Sequence, residues 1–210
     1  MDRVIGMSRE HKLSVKVPDR LLPGVYANQM IIRHTREEFL IDFLNRFPPE
    51  GVVTARVIVS PGHLKRMIGA LGDNLRRYET THGPVLRAGA PSGSSDDDRG
   101  RSPDGGQGTP ASGPTASAQP PLKQIKAKVP ERVLAGVYAN QMVVSHSPEE
   151  FLIDFVNIFP PEGVVTARVF VSPDQIKRMI GALRENLNRY EAAHGTIIEA
   201  RVPRPDSYLN

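Results

Sequence analysis

Hydrophobic and polar residues follow the same order twice along this chain, first over residues 13–86 and again over residues 125–198. Self-similarity at a fixed spacing is the signature of a structural repeat. The second copy has no insertion or deletion, and roughly two thirds of the aligned positions are identical. Two copies are too few for a solenoid, so the pattern predicts a pseudo-twofold pair, a homodimer fused into one chain.

Four segments of each copy have the alternation of β-strands, and in the first copy they are residues 13–17, 24–34, 39–47 and 52–59. Pro18 ends the first segment, which predicts an edge strand. Both faces of the second segment are apolar, which predicts cover on both sides. The third segment also suits a helix, because Glu37 and Glu38 fit a first turn, but aromatic and β-branched residues on one face favour a strand.

One amphipathic helix is predicted after Ser60 and Pro61, running to about residue 81. Its apolar stripe has helical spacing: Leu64, Met67, Ile68, Leu71, Leu75 and Tyr78. Gly83, and Gly195 in the second copy, suit a left-handed stop. The predicted fold class is α+β, with two tandem repeats, each an antiparallel sheet of about four strands followed by one amphipathic helix, paired as a pseudo-twofold dimer.

Composition divides the chain into a tail (1–11), a first repeat (12–88), a linker (89–122), a second repeat (123–201) and a tail (202–210). The linker is rich in Gly, Ser, Pro, Ala and Asp, so it buries little apolar surface and is predicted to be disordered. Small residues interrupt each helix at its middle, Gly69 and Ala70 in one copy, Gly181 and Ala182 in the other. Because glycine there costs about 1 kcal/mol, we expect the sister helix to approach closely at these repeat-pairing residues, the alternative being simple tolerance.

Candidate chemistry is sparse. The chain has no cysteine, which excludes disulfides and thiolate sites and leads us to expect a reducing, cytoplasmic environment. The first ten residues lack the apolar region of a signal peptide, and no apolar run is long enough to span a bilayer. None of the repeat-region histidines has metal-site spacing, and those before the terminal glycines are expected to interact with the helix dipole. They are His34, His63, His82, His146 and His194.

Two aspartates, Asp42 and Asp154, fall inside apolar strands. A buried carboxylate there is either a base with a raised pKa or a structural acceptor, for neighbouring backbone groups or for Arg56 across the sheet, and the structural role is favoured. Motifs of nucleophilic hydrolases, phosphate loops and dinucleotide sites are absent from the sequence. The sequence therefore predicts no enzyme, no cofactor and no metal site.

The positive charge is uneven, because the chain carries +4 in total while residues 12–87 sum to about +5 and residues 123–201 to about +1. Tyr26 and Tyr138 offer stacking faces beside basic residues that recur in both copies. The candidate anion or nucleic-acid contacts are Arg56, Lys65, Arg66, Arg77, Arg168, Lys177, Arg178 and Arg189. An ordinary solvated surface explains the same charges.

The function expected from these observations is a non-enzymatic cytosolic binding or scaffolding module. A fused pair presents two related surfaces, which favours bivalent engagement of a protein partner. The alternative is a single-stranded DNA or RNA binder that uses the basic residues of the strand and helix.

The repeated motifs resemble a small bacterial domain family of unknown function. They are Tyr26-Ala27-Asn28, Glu38-Phe39 with Asp42-Phe43, Ser60-Pro61 with Lys65-Arg66, and Tyr78-Glu79 with His82-Gly83, each repeated in the second copy. The resemblance implies no reaction or ligand. The family usually has one unit per chain, so the duplication implies that single units dimerise. In element order alone, the repeats are also similar to the PUR and Whirly single-stranded nucleic-acid-binding repeats.

Overall fold

A computed structural model describes residues 14–47, 50–85, 127–159 and 162–197. The first repeat contains β1 (Ser14–Lys16), a 3-10 turn (Asp19–Leu21), β2 (Val25–Tyr26), β3 (Gln29–His34), β4 (Phe39–Phe47), β5 (Glu50–Val59) and α1 (Pro61–His82). The second contains β6 (Ala127–Lys128), α2 (Glu131–Leu134), β7 (Val137–Tyr138), β8 (Gln141–His146), β9 (Phe151–Phe159), β10 (Glu162–Val171) and α3 (Pro173–His194). The α+β class, with two halves of sheet plus helix, is confirmed.

Each repeat gives its first two strands to the sheet of the other repeat. Antiparallel strands β3, β4 and β5 form one sheet, along which β6 and β7 of the second repeat run parallel to β5. In the second sheet, β8, β9 and β10 are antiparallel, and β1 and β2 of the first repeat run parallel to β10. The repeats are therefore exchanged as well as paired, and neither sheet is complete without the other repeat.

The crossing between the sheets takes place at two consecutive residues of the Tyr-Ala-Asn motif. The Ala27 amide donates to the Phe170 carbonyl in the second repeat at 2.9 Å, whereas the Asn28 amide donates to the Leu44 carbonyl in its own repeat at 2.9 Å. Ala139 and Asn140 make the equivalent crossing. Both alanines are buried. A larger side chain there would have to displace its buried neighbours, so we expect the small residue to be favoured by packing.

This crossing corrects one prediction. Residues 24–34 are not a single strand, because β2 and β3 belong to different sheets and are separated at residues 27 and 28. The apolar character of both faces comes from that exchange. Two other predictions are confirmed: residues 39–47 form a strand, and β1 lies at an edge, although that edge belongs to the sheet of the other repeat.

The helices begin as the sequence predicts, with the Ser60 hydroxyl accepting from the His63 amide and the Ser172 hydroxyl from the Gln175 amide. They end at glycines of positive φ, 88° at Gly83 and 92° at Gly195. Their ψ angles of 170° and 164° place them outside the left-handed helical region that was expected. Glycine is still favoured, since other residues rarely adopt such a φ.

A single apolar core joins both repeats. The inward faces of β4 and β5 pack with the stripe of α1 and with the same elements of the second repeat. Phe43 and Phe155 meet between the repeats with ring centroids 5.4 Å apart. A repeat of about 75 residues is small for an independent core, so sharing one core increases the buried fraction of each repeat.

The predicted tails (1–11 and 202–210) and the predicted disordered linker (89–122) lie outside the described residues. Their boundaries remain predictions. None of the helices in the described part of the chain combines the length and apolarity that a membrane crossing needs.

Candidate functional site

Arg56 and Arg168, predicted to contact an anion, are already paired with a carboxylate in their own sheet. The Arg56 guanidinium donates to Asp42 through Nε at 2.6 Å and Nη2 at 2.9 Å. Arg168 and Asp154 form the equivalent two bonds at 2.7 and 2.8 Å. These bonds raise the pKa of both arginines, the hydrogen bond to the aspartate being the largest cause. The structural explanation for Asp42 is confirmed, and both arginines support the sheets.

Lys65 and Lys177 hold the two repeats together. Lys177 Nζ donates to Glu79 Oε1 at 3.1 Å and to the Val85 carbonyl at 2.9 Å, both in the first repeat. Lys65 makes the matching contacts with Glu191 at 3.4 Å and the Ile197 carbonyl at 3.2 Å. The Val85 amide and then Lys177 lower the pKa of Glu79. These lysines therefore bridge the two repeats, and the anion contact expected of them from the sequence stays a prediction.

The other predicted basic residues are spread over the helices. Arg178 is bonded to Asp174 and Gln175, and Arg189 to Glu185, within α3. Arg77 is exposed on α1, and Arg66 lies beside the buried His63. The structure therefore does not bring the eight predicted residues into one basic surface.

The predicted helix contact at the mid-helix glycines is wrong. Gly69 and Gly181 are exposed, and apart from their own helix backbone no described atom lies within 4 Å of where a Cβ would stand. The helices do pack against each other, but one turn further on, where a Cβ at Gly72 would lie 3.7 Å from the Arg184 guanidinium. Ala70 packs partly against the core, and Ala182 lines a pocket described below. Gly69 and Gly181 are thus tolerated rather than required.

Histidines and tyrosines form a second set of contacts between repeats, which the sequence did not reveal. The rings of His34 and His194 lie 6.1 Å apart, and those of His82 and His146 lie 6.2 Å apart. Tyr190 donates its hydroxyl to the Arg36 carbonyl at 2.6 Å, and Tyr78 to the Pro148 carbonyl at 2.7 Å. In the sequence, the only sign of these contacts is that each Tyr-Glu-x-x-His motif stands far along the chain from the turn that its tyrosine contacts. Among the described residues, no group of three or more His, Cys, Asp or Glu side chains is placed to hold a metal.

His63 is buried, with only 2% of its surface exposed, and neither ring nitrogen makes a hydrogen bond of normal length and angle with a described residue, although the Gln141 backbone lies near the ring. Desolvation, and secondarily the charge of Arg66, lowers the pKa of His63 to about 4. The imidazole is therefore neutral near pH 7. The second repeat has Gln175 at this position, and Gln175 accepts from Arg178 at 2.8 Å.

A pocket of about 450 Å³, called the larger pocket below, lies between the start of β3, the end of β4 and the first half of α3. Arg46 and Arg178 line it from different repeats, together with Gln29 and two methionines, Met30 and Met179. A smaller pocket of about 250 Å³ is lined by Ser145, His146, Leu152 and Phe170, among others. Neither pocket was anticipated from the sequence, and the larger one forms only where segments of both repeats meet.

The two copies match a known family. A family model described as "Protein of unknown function (DUF3467)" matches residues 3–87 and again residues 104–199. The resemblance inferred from the motifs, including the presence of two copies, is confirmed. No curated protein and no solved structure matches the chain.

Proposed function

We propose that this chain, which belongs to the DUF3467 family and carries two copies of its domain, is a non-enzymatic binding module for a protein partner. The observation that carries the proposal is a pair of exposed phenylalanines at equivalent positions. Phe47 ends β4 and Phe159 ends β9, and 68% and 84% of their surfaces are exposed. An exposed aromatic side chain offers a partner a large apolar area to bury, and its recurrence at both equivalent positions supports a paired binding surface.

Other exposed apolar residues recur with the same symmetry. Leu22 and Leu134 follow or end the short helical turns, and Tyr26 and Tyr138 lie in the exchanged strands. Fully burying one phenylalanine against a partner gains about 1.5–3 kcal/mol. Because one folded unit presents the set twice, a partner with two matching surfaces gains affinity from the second contact without new chemistry.

The non-enzymatic part of the proposal is supported by the state of the buried carboxylates. Asp42 accepts three charge-assisted bonds from arginine and Asp154 accepts two, so their oxygens are engaged in the sheets. The cytoplasmic location expected from the sequence remains a prediction.

Single-stranded nucleic-acid binding is the competing proposal, and ion pairing weakens it. Of the eight basic residues predicted to contact an anion, Arg56, Lys65, Arg168, Lys177, Arg178 and Arg189 have carboxylate partners. A cation already paired within the protein contributes less to phosphate binding and counterion release. The same experiment below separates the two functions.

The test compares proteins captured from an extract of the source cells by immobilised wild-type chain and by a Phe47→Ser/Phe159→Ser double variant. We expect the double variant to lose about 90% of the specific partner, and each single variant to show an intermediate loss because the contacts are bivalent. Val143→Ser is the matched control, since it removes another exposed apolar side chain from a sheet edge. The partner is then purified and its affinity for each variant is measured by calorimetry.

Fluorescence anisotropy with single- and double-stranded oligonucleotides over a salt series completes the test. Micromolar or tighter binding that falls steeply with salt and survives the phenylalanine changes would replace the protein partner with nucleic acid. Capture that is equally strong with the double variant would overturn the role of the two phenylalanines.

A further inference from the structure

The larger pocket lies where the two repeats meet, and its counterpart in the other half has different chemistry. One wall is the end of β4 with Arg46, and the opposite wall is α3 with Gln175 and Arg178. At the equivalent positions of the other half, the sequence has Ile158 in place of Arg46 and His63 in place of Gln175. Two arginines therefore line the larger pocket, whereas the equivalent positions of the other half include one, Arg66.

Arg178 is held in a fixed orientation that leaves donors free. Its Nε and Nη2 donate to Gln175 Oε1 at 3.1 and 2.8 Å, and its Nη1 donates to Asp174. A guanidinium has five N–H donors, so one hydrogen remains on each Nη nitrogen. The two arginines and Asp174 together leave a net charge of about +1 beside the pocket.

The remaining lining suits a small organic molecule rather than a bare ion. The side-chain oxygen of Gln29 is buried and has no hydrogen-bond partner among the described residues. A ligand hydroxyl or ammonium group could donate the hydrogen bond that this oxygen lacks. Met30 and Met179 supply polarisable apolar contacts. The volume of about 450 Å³ lies within the range of small-molecule sites.

We propose that this pocket binds a small organic anion, a carboxylate or a phosphate ester that also carries a hydroxyl or amino group. Arg46 and Arg178 receive the anionic group, Gln29 accepts from the hydroxyl or amino group, and the methionines contact the carbon skeleton. This site is separate from the protein-binding proposal, because it uses neither Phe47 nor Phe159.

The experiment follows the arginine Nε–Hε signals of the ¹⁵N-labelled full chain by NMR during titration with sn-glycerol 3-phosphate, with citrate, and with uncharged glycerol. We expect a saturable shift of the Arg46 and Arg178 signals with at least one of the two anions and none with glycerol. The two anions distinguish a phosphate site from a carboxylate site. Arg46→Ile, which introduces the residue of the second repeat, should weaken binding about tenfold or more, read from the Arg178 signal.

Arg77→Gln is the control, because it removes the same charge from an exposed position on α1 outside the pocket. We expect it to change the affinity by less than about twofold, since exposed charges are screened. An equal loss in both variants would reveal non-specific charge attraction and overturn the site. Absence of a saturable shift with either anion, or unchanged affinity in Arg46→Ile, would also overturn it.

Discussion

The buried carboxylate on the outer face of each sheet has different neighbours in the two repeats. Asp42 is bonded to Arg56 and to Arg33 and is 2% exposed, whereas Asp154 is bonded to Arg168 and is 14% exposed. Ser145 stands where the first repeat has Arg33, and the smaller pocket opens beside it. The fold therefore requires the Asp–Arg pair, while the third member is free to vary because it lies at the surface.

The first turns of the helices differ in the same manner. In α3, Asp174 and Gln175 orient Arg178, whereas α1 has Gly62 and His63 before Arg66. At the helix contact, Gly72 faces Arg184, an arrangement that avoids two arginines meeting on the pseudo-twofold axis. A homodimer must place identical residues on its axis, but a fused pair is free of that constraint.

The largest expected difference concerns the two aspartates. Asp42→Asn should destabilise the protein by about 3–5 kcal/mol, because it leaves the largely buried Arg56 guanidinium without its carboxylate and also removes the surface bond to Arg33. Asp154→Asn should cost about 1–3 kcal/mol, because one partner is affected and water reaches it. Urea unfolding measures both.

Arg33→Ser, which copies the second repeat, is the control for that comparison. Since 59% of the Arg33 side chain is exposed, its loss should cost less than about 1 kcal/mol. Equal destabilisation by the two Asp→Asn variants would contradict the importance of the third partner.

Acid should act on the first repeat through His63. The pKa of His63 is about 4 in the folded protein and about 6.5 in the unfolded chain, so the unfolded state takes up the proton first as the pH falls. His63 therefore costs no stability above about pH 6.5 and up to about 3 kcal/mol as the pH falls to 4. We expect His63→Gln, which copies the second repeat, to remove this loss.

The measurement is the urea midpoint of the wild type and of His63→Gln between pH 7.5 and 4.5. The remaining histidines are common to both proteins and cancel in the difference. If the two proteins keep parallel pH dependence, His63 is not the group that titrates.

A smaller effect is expected at the crossing between the sheets, and there the variant in the second repeat should lose more stability than the variant in the first. The Asn28 side chain bonds the backbone amide and carbonyl of Arg46, and Asn140 bonds those of Ile158 in a less exposed setting. Asn140→Ala should cost about 2 kcal/mol and Asn28→Ala about 1 kcal/mol, because water replaces the lost bonds more readily around Arg46. Thermal unfolding shows which of the two variants loses more stability. A larger loss in Asn28→Ala would contradict the idea that water replaces the lost bonds more readily around Arg46.

The smallest effect should be the same in both repeats. Gly69→Ala and Gly181→Ala should each stabilise the protein by up to about 1 kcal/mol, since alanine favours the helix and the space beside each glycine is open. Guanidinium unfolding should show additive gains in the double variant, because the two sites share no partner. A loss of stability in either variant would restore the close helix contact that the structure rules out.

The candidate site was less predictable than the fold. The strand predicted over residues 52–59, which the structure begins two residues earlier at Glu50, follows from alternation. Both capped helices follow from the Ser-Pro starts and from the apolar stripe. By contrast, Lys65 and Lys177 carry the same charge whether they face solvent, a ligand or the sister repeat. Periodicity shows that they lie off the apolar stripe of the helix but does not identify the carbonyl groups they contact.

The sequence alone determined that this protein has two related α+β halves. Hydrophobic period and helix capping depend only on residues close together in the chain, and both copies contain those residues. Tertiary structure decided which half completes which sheet, since the exchange at Ala27 and Asn28 depends on hydrogen bonds to residues far along the chain. It also decided which groups the basic residues contact, and it brought Arg46 and Arg178 to the same pocket. Contacts between distant segments leave no periodic trace, and for that reason the pocket became visible only in the folded chain.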